Sequence, residues 1–147
     1  MNTNIIGTTT ELKCQIYFLE LGFNISVPVN VCRYDFIIDT GYELLKIQVK
    51  TCNDNRRKDN KKDIISFYTN SSHFINGKST HTYYNDNEID YFCTFYNNQC
   101  YLIPVDECAK TEQVLRLNPT KNNQSKNTKF AEDYIAKDIL DKRISNS

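Results

Sequence analysis

In "YDFIIDTGYELLKIQVKT", Tyr34 to Thr51, an aspartate stands near the start of one apolar run and Gln48-x-Lys50 closes the next. Strand alternation in the second run sends Leu45, Ile47 and Val49 to one face and Lys46, Gln48 and Lys50 to the other. If the two runs pair as a hairpin, Asp35, Gln48 and Lys50 bring a carboxylate, an amide oxygen and an ammonium to neighbouring strands. Hydrolysing a phosphodiester at neutral pH requires a more nucleophilic water and neutralisation of developing negative charge, and a hard cation held by carboxylates does both. Magnesium takes oxygen ligands and usually keeps several waters, so one or two acids with a backbone carbonyl suffice. Glu11 adds a second carboxylate if the helix that carries it packs over the hairpin.

Each member also has an ordinary explanation. Thr8 and Glu11 have the spacing of a capping box, which accounts for Glu11 without any metal, and the two roles are compatible. Asp35 alone reads as a strand-start aspartate, and Lys46, Gln48 and Lys50 alone as the display of any solvent-facing strand. Asp39, beside Thr40-Gly41, reads as a turn residue.

The elements that must position these groups follow from the pattern. "GTTTELKCQIYFLELGF" predicts an opening helix, with Leu12, Ile16 and Leu19 at helical spacing and Gly22-Phe23 as its stop. "NISVPV" predicts a short edge strand, and "YDFIID" and "ELLKIQVKT" a hairpin through "TGY". "IISFYT" predicts a strand, Asn70 to Glu88 a long polar excursion, and "IDYFCTFY" with "CYLIPVD" a second hairpin stopped by Pro104. "QVLRL" predicts a short strand, "NPTKNNQSKNTK" a basic linker, and "FAEDYIAKDILDKRI" a terminal helix with Phe130, Tyr134 and Ile135 toward a core or partner. The expectation is an α/β (α+β) sandwich with helices against a central sheet. With 147 residues there is room for a single domain, read as a core over 1–108 and a basic linker and helix over 109–147.

Composition sets the outer limits. No apolar run approaches the ~18 residues of a membrane span, and "MNTNIIGTTT" lacks the basic start and apolar block of a signal peptide, so the expectation is a cytoplasmic chain with no membrane partner. Six cysteines without a CxxC pair read as reduced thiols. A zinc site from Cys93, Cys100, His73 and His81 would need irregular spacing, and buried free cysteine is the preferred reading. Formal net charge is zero, yet from Leu44 to Lys62 seven basic residues face two acids, while from Ser79 to Gln113 six acids face Lys110 alone. Such segregation lets one face attract a polyanion, although the basic run reads equally as a solvated loop. Candidate phosphate contacts are Arg56, Arg57, Lys58, Lys61, Lys62, Lys78, Arg116, Lys121 and Lys126, with Asn122, Asn123 and Lys129 nearby. Ser71, Ser72, His73 and the tyrosines near 83 are candidates for reading bases.

The Asp35-x(12)-Gln48-x-Lys50 spacing resembles the PD-(D/E)xK nuclease superfamily. More narrowly, "GTTTELK", "YDFIID", "LLKIQVKT", "YFCTFY" with "YLIPVDE", and "LRLNPTKNNQSKNTKFAEDY" resemble its group I intron-associated homing endonucleases, over nearly the whole chain. The resemblance implies an αβββαβ restriction-endonuclease-like core and a Mg²⁺-dependent, sequence-specific endonuclease of double-stranded DNA, with Mn²⁺ as a substitute ion, working as a homodimer or homotetramer. It implies Glu11, Asp35 and the Val49 backbone carbonyl as metal ligands, Gln48 at the second acidic position and Lys50 as the catalytic lysine. Tyr34 stands where the superfamily name has proline, and Gln48 replaces an acid, which removes one negative charge from the site. The alternatives are a Holliday junction resolvase and a catalytically silent DNA-binding module on the same fold.

Overall fold

The computed structural model describes residues 2–53, 63–118 and 128–147. Helix α1, Thr3–Glu20, begins well before the predicted capping box: Asn2 is its N-cap and accepts the Asn4 amide at 2.9 Å. Thr8 therefore lies inside the helix, and Glu11 two turns into it, so capping does not account for this glutamate. The threonine run tolerates the helix because Thr9 and Thr10 donate their hydroxyls to the Ile5 and Ile6 carbonyls one turn back. At the other end Gly22, at φ +94°, and Phe23 close α1 by donating to the Leu19 and Phe18 carbonyls, as the sequence led one to expect.

Strands β1, Asn24–Ser26, β2, Phe36–Asp39, and β3, Leu44–Val49, form an antiparallel meander. The chain returns to this sheet as β7, Tyr91–Tyr96, parallel to β3, and turns through Asn97 and Asn98, both at positive φ, into antiparallel β8, Gln99–Pro104. The sheet order is β1-β2-β3-β7-β8. Between β3 and β7 the described residues build β4, Ile64–Tyr68, and an antiparallel ribbon of β5, Asn70–Ile75, and β6, Lys78–Tyr83. Strand β9, Glu112–Arg116, pairs with β4 in a small second sheet. The polar excursion is thus a hairpin, turned by Asn76-Gly77 at φ 52° and 76°. Asn-Gly is among the strongest short hairpin signals in a sequence.

The central sheet is covered on both faces. Phe36, Ile38, Leu45, Ile47, Val49 and Cys93 pack against Cys14 and Phe18 of α1 and against Ala136 and Leu140 of the last helix, α2, Ala136–Ser145. On the opposite face Phe92 and Ile103 pack with Ile65, Phe67 and Leu115 of the β4–β9 sheet. Two-sided burial explains why "YFCTFY" and "CYLIPV" read as nearly continuous apolar runs. The terminal helix starts later than predicted: 131–134 is a 3₁₀ turn, and Phe130 and Ile135 make isolated bridges to Arg116 and Tyr101. No helix among the described residues is long and apolar enough to cross a membrane.

The α/β expectation holds, with helices against a mixed central sheet. Leu12, Ile16 and Leu19 turn outward, each more than half exposed, while Cys14 and Phe18 form the buried face of α1. Cys93 and Cys100 lie in the core with Cys14, whereas His73 and His81 sit on the ribbon, so these four do not assemble as a zinc site. The six cysteines form no disulfide.

Candidate active site

The first half of α1 crosses the ends of β2 and β3 where the chain enters β2 and leaves β3. Asp35 precedes β2 by one residue and, by continuation of the Phe36↔Ile47 register, stands opposite Gln48. Its amide donates to the Ile47 carbonyl at 2.8 Å, and its carboxylate accepts the Val49 amide at 2.7 Å. The side chain is thereby fixed across the strand ends instead of being left to sample rotamers in water. Lys50, one residue past β3, donates its own amide to the Cys93 carbonyl at 2.8 Å.

Glu11 reaches toward Asp35 from the helix, both carboxyls line the same cleft, and each bears on the other's ionisation. Burial, followed by Asp35 as hydrogen-bond partner and as negative charge, pushes the Glu11 carboxyl up to about 7. Burial also raises Asp35, against the bonds from Glu11 and Val49 and the charge of Lys50, which lower it. Burial disfavours the charged form of both groups, and two carboxylates brought together in one partly dry site repel each other when both ionise. Lys50 is lowered chiefly by burial, with Asp35 opposing that shift and Arg33 adding to it. Asp35 and Lys50 thus sense each other's charge at the same end of the sheet.

Thr3, Asn4, Gly7, Thr8, Glu11, Asp35, Gln48, Val49 and Thr51 line a cleft of about 360 Å³ between α1 and the strand ends. Gln48 donates its side-chain amide to the Val49 carbonyl at 3.2 Å, and the Thr51 hydroxyl bonds to Thr10 at 3.3 Å, tying strand to helix. The donor set, two carboxyls with an amide and a carbonyl oxygen beside them, is made of hard oxygens and fits a hard divalent ion better than a soft one.

The structure brings Glu11, Asp35, Gln48 and Val49 onto one cleft and places Lys50 beside it, near enough for its charge to bear on Asp35. Lys78 is exposed at the start of β6, and Arg116 is half-buried on β9, donating to the Asn118 carbonyl at 3.2 Å. Arg56, Arg57, Lys58, Lys61, Lys62, Lys121 and Lys126 lie outside the described residues.

Sequence reasoning missed the surroundings of Lys50. Its ammonium donates to the Asn70 carbonyl at 3.2 Å and lies 5.0 Å from the centre of the Tyr84 ring. The Arg33 guanidinium also rests on Tyr84, 3.8 Å from the ring centre, and pairs with Glu88 at 2.6 Å. These partners stand 20 to 55 positions apart in the chain, and no short-range pattern announces them.

Over residues 1–137 the chain matches the model of the family described as PD-(D/E)XK endonuclease. The chain belongs to that family. A PD-(D/E)XK endonuclease is a phosphodiester hydrolase, and divalent metal dependence is typical of the family. Among solved structures the chain is similar to "The structure of a bacterial homing endonuclease: I-Ssp6803I", with 20% sequence identity, a TM-score of 0.76, and coverage of 99% of this chain and 97% of that one. At that identity the likeness concerns the fold. A comparison with curated proteins finds no match. Within this PD-(D/E)XK endonuclease, Asp35 and Gln48-Val49-Lys50 are the residues that fit the lettering of the family name, with glutamine in place of its second acid.

Proposed function

We propose that the protein is a Mg²⁺-dependent, sequence-specific endonuclease of double-stranded DNA of the intron-encoded homing type, one nuclease domain over 1–147, acting as a homodimer or homotetramer. The observation that carries this reading is the convergence of Glu11, Asp35 and Gln48 on one cleft, with Lys50 beside it and close enough for its charge to bear on Asp35. Glu11, Asp35 and the Val49 carbonyl would hold the ion. A divalent cation there supplies charge neutralisation for the phosphate and a lowered pKa for water.

The remaining work falls to the chain. The Val49 amide orients the Asp35 carboxylate where it lines the cleft. Lys50, half-buried beside the strand ends, is placed to stabilise charge that builds on the phosphate as the bond to the leaving oxygen lengthens. Gln48 contributes an amide where an acid would add charge, which leaves the site one negative charge lighter and favours approach of a polyanion.

The ribbon and α1 support the finer claims. Beyond Ser71 the β5–β6 ribbon is exposed on both faces and carries Ser72, His73, Lys78 and Thr80, the dimensions and chemistry of a two-stranded reader of a DNA major groove. The basic run from Arg56 to Lys62 begins six residues after Lys50 in the chain and is proposed to follow the phosphate backbone, together with Arg116, Lys121 and Lys126. One cleft of this kind cuts one strand, so a second copy related by a two-fold axis is needed for a double-strand break. The outward stripe of Ile5, Leu12, Ile16 and Leu19 offers an apolar surface for it.

The test is incubation of the pure chain with a plasmid library in Mg²⁺. Linear product from a subset of plasmids, abolished by EDTA and lowered about 10²–10³-fold by Lys50→Ala or Asp35→Ala, is expected. Preferential cutting of a four-way junction over any linear duplex would replace the homing reading with a junction resolvase. Binding without any nick in either metal condition would leave a DNA-binding module.

A further inference from the structure

We propose that Tyr84 is a positioning residue that couples the β5–β6 ribbon to Lys50, so that seating the ribbon on DNA sets the place of the lysine at the scissile phosphate. The inference rests on the functional reading above. Its basis is where the lysine is held: among the described residues its ammonium rests on both feet of the ribbon. Asn70, whose carbonyl accepts the Lys50 ammonium, is the first residue of β5. Tyr84, whose ring lies under the same ammonium, follows the last residue of β6, and Asn70 pairs with Tyr83 in the ribbon register.

Tyr84 is itself tied to both sides of this junction. Its hydroxyl bonds to the Ser71 hydroxyl at 2.9 Å, on the opposite ribbon strand. Its ring meets Phe92 of the central sheet edge-on, with centroids 5.3 Å apart, and carries the Arg33 guanidinium. Arg33 in turn donates to the Tyr83 carbonyl at 2.8 Å. A displacement of the ribbon base therefore moves the carbonyl and the ring that the lysine rests on, while the Lys50 backbone stays fixed by β7.

The chemistry of these partners suits a catalytic cation. A lysine side chain has many rotamers and three donors, and its place is defined only by what it touches. A carboxylate in direct contact would fix the ammonium but neutralise it. A carbonyl and an aromatic face fix it and leave its full charge for the phosphate. The ribbon proposed to read sequence thus supplies the contacts that make Lys50 competent, a route by which correct binding raises the rate as well as the affinity.

The experiment uses the full chain with ¹³C-labelled lysine, the Lys50 side-chain resonance assigned through Lys50→Arg, and a duplex selected from a randomised library by binding in EDTA. In the wild type the Tyr84 ring current displaces the Lys50 resonance from that of a free lysine, and adding the duplex shifts it again. Tyr84→Leu is expected to return the signal to the free-lysine position and abolish its response to the duplex. Its binding should stay within about twofold, while single-turnover cleavage in Mg²⁺ falls about tenfold. Tyr84→Phe, which keeps the ring, should preserve the Lys50 signal. If Tyr84→Leu does not fold, Arg33→Lys removes the stacked guanidinium with less disturbance, and a weakened ring contact must appear in the same resonance. A wild type that cuts the duplex while its Lys50 signal ignores both the Tyr84 ring and the duplex overturns this inference alone. A wild type that neither binds nor cuts any duplex overturns the functional reading and this inference with it.

Discussion

The Glu11 carboxyl, held at about 7 against an ordinary value of 4.5, makes the proposed site measurable without any DNA. Between those values the folded chain keeps a proton that the unfolded chain has released. The contribution of a raised carboxyl is therefore complete below the unfolded value and is lost as pH rises through the folded one. Asp35, also raised, adds in the same direction. In EDTA the urea midpoint should accordingly fall from about pH 5 to about pH 8, and Glu11→Gln should flatten that part of the profile. Millimolar Mg²⁺ should restore the midpoint near pH 8 and leave it unchanged near pH 5, because the cation and the proton compete for the same oxygens. A Mg²⁺ effect that does not depend on pH would exclude the carboxyl pair as its ligand. The residue types of this site were legible in the sequence only jointly, since Asp35 and Gln48-x-Lys50 each have an ordinary strand reading and gain weight from the blocks around them. The raised Glu11 carboxyl was not, because it depends on how far α1 buries Glu11 beside Asp35.

Helix α1 is where local rules and tertiary demands part. Gly7 lies in its second turn and lines the cleft, with nothing within 4 Å of where a Cβ would stand. Glycine inside a helix costs about 0.8–1 kcal/mol against alanine, so Gly7→Ala should stabilise the chain by roughly that amount in denaturant titrations. The same methyl would narrow the cleft, and cleavage is expected to fall as stability rises. Equal gains in both would show that Gly7 stands clear of the reacting groups. The start of α1 was misread because Thr8 and Glu11 imitate a capping box, while Asn2 makes the actual cap six residues earlier. The ribbon was missed for another reason: "NSSHFINGKSTHTY" buries almost nothing, so its strands show no core-directed apolar pattern, and only Asn76-Gly77 marked the turn.

At the scale of the whole molecule, apolar surface that this fold leaves uncovered predicts assembly. Ile5, Leu12, Ile16 and Leu19 form one outward stripe on α1, each 52–55% exposed. Such a stripe is self-complementary about a two-fold axis, and charges placed along it should separate the copies. Leu12→Glu with Ile16→Glu is expected to convert a dimer or larger species to monomer in sedimentation velocity, with little change in thermal midpoint if the monomer folds alone. It should also change linear product from plasmid to nicked circles, because one cleft then acts per encounter. Unaltered sedimentation would place the interface elsewhere. Cleavage should further weaken steeply between low and physiological salt, as phosphate contacts release counterions.

The sequence by itself determined which residues alternate into a buried sheet, where β2 and β3 turn, and which chemical groups stand at their ends. Those are consequences of periodicity and of side-chain type, both local properties. Only the tertiary structure decided that Glu11 meets Asp35, that Cys14 and not Leu12 faces the core, and that Lys50 rests on Asn70 and Tyr84. Each of these is a contact between distant segments, fixed by which faces two layers bury against each other, and helical spacing alone admits both faces of α1 equally.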